Sequence, residues 1–117
     1  MTEGTLPAYV VELAARLARS RGDPTPNRAL AVSTTQGAAA NIAARAIVNQ
    51  PETPVWLVVL YGHFASNRGP YGPPKPTGIV LSFTIDQETH DILYVGLSNY
   101  DPPDLSRLGR VKSFSLS

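Results

Sequence analysis

The chain has two histidines and no cysteine, so its menu of acid–base and nucleophilic chemistry is short. Thiolate nucleophiles, disulfides and zinc–thiolate sites are excluded. His63 stands in "LYGHF", between Tyr61 and Phe64; an imidazole there suits proton transfer or ligand contact, and equally a strand end bonded to loop backbone. His90 falls in "DQETHD" with Asp86, Glu88 and Asp91. Carboxylates plus one imidazole are divalent-cation chemistry, but a tight hairpin sends alternate side chains to opposite faces. The stretch also lacks the glycine and the length of a calcium loop. An Asp ending a strand closes a turn on its own backbone, and no metal site is expected.

Paired-carboxylate catalysis needs two acids converging at about 5–10 Å. Asp23, Glu52, Asp101 and Asp104 lie in loop-like stretches, and nothing in their spacing pairs them. There is no Gly-x-Ser-x-Gly, Ser-x-x-Lys, Walker loop or Gly-x-Gly-x-x-Gly. Thr34 and Thr35 precede a helix and read as caps rather than nucleophiles. No catalytic residue and no cofactor is expected, and the balance leans away from an enzyme.

The densest unusual chemistry is "YGHFASNRGPYGPPKPTG", Tyr61 to Gly78, which holds four of the eleven prolines. Pro70, Pro73 and Pro76 recur at the three-residue repeat of polyproline II. Arg68, Tyr71 and Lys75 add charged and aromatic handles. One reading is a docking segment of the kind that aromatic grooves recognise. Another is a lid over a pocket at the end of the sheet, lined by Tyr61, His63 and Tyr71. A third is a stiffened connection, since proline lowers the entropy of the unfolded loop.

The elements that must position these residues follow from periodicity. Leu6–Arg19 is predicted helical, with Thr5 as a cap, Pro7 in the first turn and Val10, Leu13, Ala14 and Leu17 as its stripe. Gly22 is a C-cap, and Pro24 and Pro26 prevent continuation. Arg28–Val32 is a short strand. "STTQGAAANIAARAIVNQ" is a second helix, capped by one of Ser33, Thr34 or Thr35, with Ala39, Ile42, Ala43, Ala46 and Ile47 on its buried face. Val55–Phe64 is apolar on both pleat faces, the pattern of a central strand covered on both sides. Ile79–Ile85 alternates as a half-buried strand, and Ile92–Leu97 is another, joined to it by a hairpin. Residues 99–117 form a weakly patterned tail. These elements predict one α+β domain over residues 1–117, with a core over 28–98. It is a two-layer sandwich of three to four mainly antiparallel strands with two helices on one face.

A helix, then "VWLVVLYGHF", then a Pro/Gly connection and "PTGIVLSFTIDQETHDIL" resembles PepSY-type and other cystatin-like domains. The resemblance implies a helix laid across a curved antiparallel sheet and a strand–Asp–x–x–Thr–Gly–strand hairpin, approximated here by "TIDQETHDIL". This chain departs from it at His90, where that pattern has glycine. Over most of the chain, "GDPTP", "TT", "VWLVVLYGHF", "PTGIVLSFTID" and "GLS" resemble a group of small actinobacterial proteins, which implies no activity.

Ten basic against nine acidic residues give a net charge of +1, which argues against nucleic-acid binding. No apolar run spans a bilayer and no leader is visible, so the expectation is a cytoplasmic protein, or a secreted one if a leader has been removed. With the helices on one face, Trp56, Val58 and Leu60 would form an apolar patch on the other, and a second copy would cover it. The chain thus reads as an interaction module acting through the 61–78 segment on a protein partner. The alternatives are a ligand-binding or enzymatic pocket around His63, or a structural homodimer.

Overall fold

The computed structural model describes residues 6–23, 26–39, 52–65, 77–99 and 105–114. Its organising element is strand β2 (Pro54–Ala65), in which Val55 to Leu60 are buried at every position. A strand apolar on both pleat faces needs hydrogen-bonded neighbours on both edges and cover on both faces. Strand β1 (Arg28–Thr35) takes one edge, in register from Arg28↔Tyr61 to Thr35↔Pro54. Strand β3 (Thr77–Asp86) takes the other. Strand β4 (Ile92–Ser98) lies beyond β3 and β5 (Lys112–Phe114) beyond β1, giving the antiparallel order β4-β3-β2-β1-β5.

Among the described residues the sheet therefore has five strands, where the sequence predicts three to four. The additional one, β5, falls in the expected tail. Three residues are too few for alternation to register, and the strand exists because Phe114 and Lys112 pair with Ala29 and Ala31 of β1.

Helix α1 (Ala8–Ser20) buries Val10, Ala14 and Ala18, spaced by four residues along one stripe. They pack on Ala29, Ala31, Trp56, Val58, Leu60, Leu81, Phe83 and Ile85. Alanine on both sides lets the helix lie close to the sheet. Trp56, Val58 and Leu60 are thus core residues beneath α1, not an open face. The expected dimer patch is corrected accordingly: the helix and these three side chains share one face. Lys112 completes that cover, its Nζ lying 5.7 Å from the centroid of the Trp56 ring.

The opposite face carries Leu30, Val32, Val55, Leu57, Val59 and Val80, packed with Ala39 and Leu105. Ala39 lies in helix α2 (Gln36–Ala39), and Leu105 in a short 3₁₀ turn, Leu105–Arg107. Thr35 Oγ1 caps α2 by accepting the Ala38 N–H at 3.3 Å. The remainder of the expected second helix lies outside the described residues. Within the described residues α2 contributes to the face opposite α1, so the expected arrangement with both helices on one face is not confirmed. Strand β3 is accordingly buried on both sides, with Val80, Ser82 and Thr84 inside as well as Leu81, Phe83 and Ile85. Among the described residues no helix is long and apolar enough to cross a membrane.

The β3–β4 hairpin uses four side chains of "DQETHD" structurally: Asp86, Gln87, Thr89 and His90. Asp86 Oδ1 accepts the N–H groups of Glu88 at 2.7 Å and Thr89 at 3.0 Å. Thr89 Oγ1 accepts the Asp91 N–H at 3.3 Å. Gln87 Nε2 donates to the Val55 carbonyl and to Ser33 Oγ, both at 2.8 Å, tying the turn to β1 and β2. His90 adopts φ 66°, a left-handed conformation that favours glycine. Its ring stacks on Tyr9 of α1 with centroids 3.6 Å apart and planes within 9°. The stack gives this side chain a return on its backbone strain and fastens the hairpin to the helix.

These opposed effects predict coupling between His90→Gly and Tyr9→Ala in urea denaturation. In the Tyr9→Ala background, His90→Gly should raise stability by about 1 kcal/mol as strain is relieved. In the otherwise unaltered chain the gain should be largely cancelled, a coupling of about 0.5–1.5 kcal/mol. Additive effects would show that the stack contributes nothing.

Candidate functional site

The end of α1 and the end of β2 meet, and the meeting is built from local sequence. Gly22, at φ 99°, turns the chain in a left-handed step that side chains resist. Its N–H bonds the Arg19 carbonyl at 3.2 Å, and the Asp23 N–H bonds the Ala18 carbonyl at 3.0 Å. This is the Schellman pattern. It stops the helix and carries Arg21, Gly22 and Asp23 toward the sheet.

On the sheet side, β2 carries a bulge. Tyr61 pairs with Val80 and Phe64 with Gly78, so β2 advances three residues while β3 advances two. Gly62 and His63 have no register partner across β3, as the extra residue of a bulge requires. The His63 N–H finds its acceptor elsewhere, in Asp23 Oδ2 at 2.9 Å. Gly62 permits that approach: a Cβ at this position would run into the Asp23 carboxylate and lie 3.2 Å from the Phe64 ring. One carboxylate thus joins the helix end to the strand end.

Between them lies an open cleft of about 360 Å³, lined by Arg21, Gly22, His63, Phe64, Gly78, Ile79 and Asn99. Phe64 is buried and belongs to the core beneath α1, giving the cleft an apolar wall. Ile79 is 48% exposed, although the rest of its strand from Val80 to Ile85 is buried. Arg21, His63 and Asn99 supply the polar side chains. The Nε of Arg21 is buried and meets no hydrogen-bond acceptor among the described residues.

The sequence-derived candidates separate on this geometry. His63 lies in the cleft and is exposed, as its strand-end position implies. Tyr61 does not line it: its ring packs against the opposite face, with the Arg28 guanidinium 5.5 Å from its centroid. Strand alternation before the bulge is the reason, since Tyr61 follows Val55, Leu57 and Val59 onto that face. Asp23 reaches His63 through the backbone amide, so the contact shapes the cleft and does not orient the imidazole. Glu52 is exposed in a turn. Arg68, Tyr71, Lys75, Asp101 and Asp104 lie outside the described residues. Among the described residues no group of three or more His, Asp or Glu side chains converges on a metal-sized centre.

Phe64 and Gly78 fall within the 61–78 segment without having been singled out, and Arg21, Gly22, Ile79 and Asn99 were not readable as site residues. They come from four separate stretches, and none carries a motif. The available signal was Ile79, an apolar residue on the strand next to a Pro/Gly connection.

In comparison with known proteins, no family model, curated protein or solved structure matches this chain.

The Asp23–Gly62 approach predicts non-additive losses. Gly62→Ala should cost about 1–2 kcal/mol by displacing the carboxylate from the His63 N–H, and Asp23→Ala about 1 kcal/mol. Combined, they should cost less than the sum, because both remove the same bond. Thermal unfolding of the four proteins checks this.

Proposed function

We propose that this chain is a binding domain whose contact site is the cleft at the His63 end of the sheet. One observation carries the reading: a concave site at the sheet end combines an exposed isoleucine and a buried phenylalanine with Arg21, His63 and Asn99. Apolar walls with a few convergent polar groups are the usual make-up of ligand sites, and the volume lies at the lower end of their range. The bulge and the Schellman turn support it further, because both spend regular structure to build this one corner. In sequence, residues 66–76 connect β2 to β3, and their Arg68, Tyr71 and Lys75 are chemically suited to the same partner. The resemblance of the Asp86–Thr89 turn to PepSY-type hairpins fits a binding role and adds no substrate.

The reading is tested by titrating ¹⁵N-labelled protein with a small-fragment library. Amide shifts should gather at Gly22, His63, Gly78, Ile79 and Asn99, and Ile79→Lys should remove them. Shifts gathered at another surface would refute the assignment.

Self-association has its own observation. β4 is an edge strand of the described sheet, carries no charge or proline in "ILYVGLS", and exposes Ile92 and Leu93. Such an edge is a template for strand pairing, and a second copy meets it antiparallel across a two-fold axis. Light scattering at micromolar concentration should then give twice the monomer mass, and Leu93→Lys should return the monomer. A monomer at that concentration in the unaltered chain excludes this route.

A further inference from the structure

Pairing of β4 with a second copy has a preferred register, and that register brings residues of the second copy to the cleft. Residues that face each other across an antiparallel pair share a face of the sheet. A two-fold axis pairs each residue with the one equally far beyond the axis. β4 has seven residues, Ile92 to Ser98, so pairing that uses all of them centres on Val95. Val95 then faces Val95 of the second copy, and Leu93 faces its Leu97. Val95 and Leu97 are half-buried and pack on the core beneath α1. Leu93 is exposed, and β3 gives it no register partner: Tyr94 pairs with Thr84 and Ile92 with Ile85. In the centred register all three side chains meet apolar partners across the seam. A slip of two residues, the smallest that keeps the faces matched, sets Leu97 against Asp91 or Leu93 against Asn99.

The polar residues at the ends of the seam match in the same register. Asp91, one residue before β4, stands opposite Asn99, one residue after it. Both are exposed, and the Asn99 amide can donate to the Asp91 carboxylate at each end of the seam. Asn99 also lines the cleft, together with Ile79. On the premises that β4 pairs with a second copy and that the cleft is the contact site, we infer that the cleft is a composite site. Asp91 and Ile92 of the second copy complete its rim at Asn99. A dimer thus carries two such sites, one at each end of the β4–β4 seam.

The chain has no cysteine, so cysteines introduced along β4 report the register directly. On mild oxidation of the full chain at micromolar concentration, Val95→Cys should cross-link much faster than Tyr94→Cys, Leu93→Cys or Leu97→Cys alone, because only position 95 faces itself. An equimolar mixture of Leu93→Cys and Leu97→Cys should give the mixed dimer. Fastest cross-linking at Tyr94→Cys, or of Val95→Cys with Leu97→Cys, marks a slipped register and overturns the composite site while the self-association stands. Asn99→Asp, at an exposed position, sets carboxylates against each other at both ends of the seam. It should raise the dimer dissociation constant about tenfold at low salt, measured by analytical ultracentrifugation. Adding Asp91→Asn should restore the original value. An unchanged constant in Asn99→Asp removes Asp91 from the rim and overturns the inference. A monomer in the unaltered chain at micromolar concentration overturns both the pairing and the composite site, and leaves the cleft of a single copy.

Discussion

Everything in this domain depends on burying both faces of β2. A strand with Val, Trp, Leu, Val, Val and Leu in succession has no polar side to turn to water. Two edges and two covering layers follow from that. α1 supplies one layer, and Ala39 with Leu105 contributes to the other. Cover from within one chain makes a second copy unnecessary at Trp56, Val58 and Leu60. Any self-association must therefore use another surface, and β4 is the edge that offers one.

The same constraint produces the candidate site. A helix lying close across the sheet must stop where the sheet stops, and Gly22 stops it there. The strand below loses regular pairing at its bulge, which frees the His63 N–H for Asp23. The cleft is what remains between two ends, each finished by local turn chemistry. Its lining is mixed because a helix end contributes a cation and a strand end contributes apolar side chains.

At the other end of the sheet the polar residues have a structural task. In "DQETHD" the carboxylate of Asp86 is directed to backbone amides, Gln87 bridges to β1 and β2, and His90 stacks on Tyr9. The departure from glycine at His90 thereby acquires a reason: the side chain that strains the turn also contacts the helix. The Asp86 carboxylate there meets a turn's demand for hydrogen bonds.

Read alone, the sequence determined the α+β class, the first helix, the central strand and the β3–β4 hairpin. These rest on short-range periodicity and turn residues, which act within one element. It also marked His63 as a strand-end residue, because the apolar run ends beside it. Only the tertiary structure decided that β5 pairs with β1, that the covering layers lie on opposite faces, and that Tyr61 turns away from the cleft. It alone brought Arg21, Phe64, Ile79 and Asn99 together with His63. The physical reason is that each of these depends on pairing or packing between segments distant in the chain. An unbroken apolar run such as that of β2 shows that both faces are buried, but carries no information on which segment buries each.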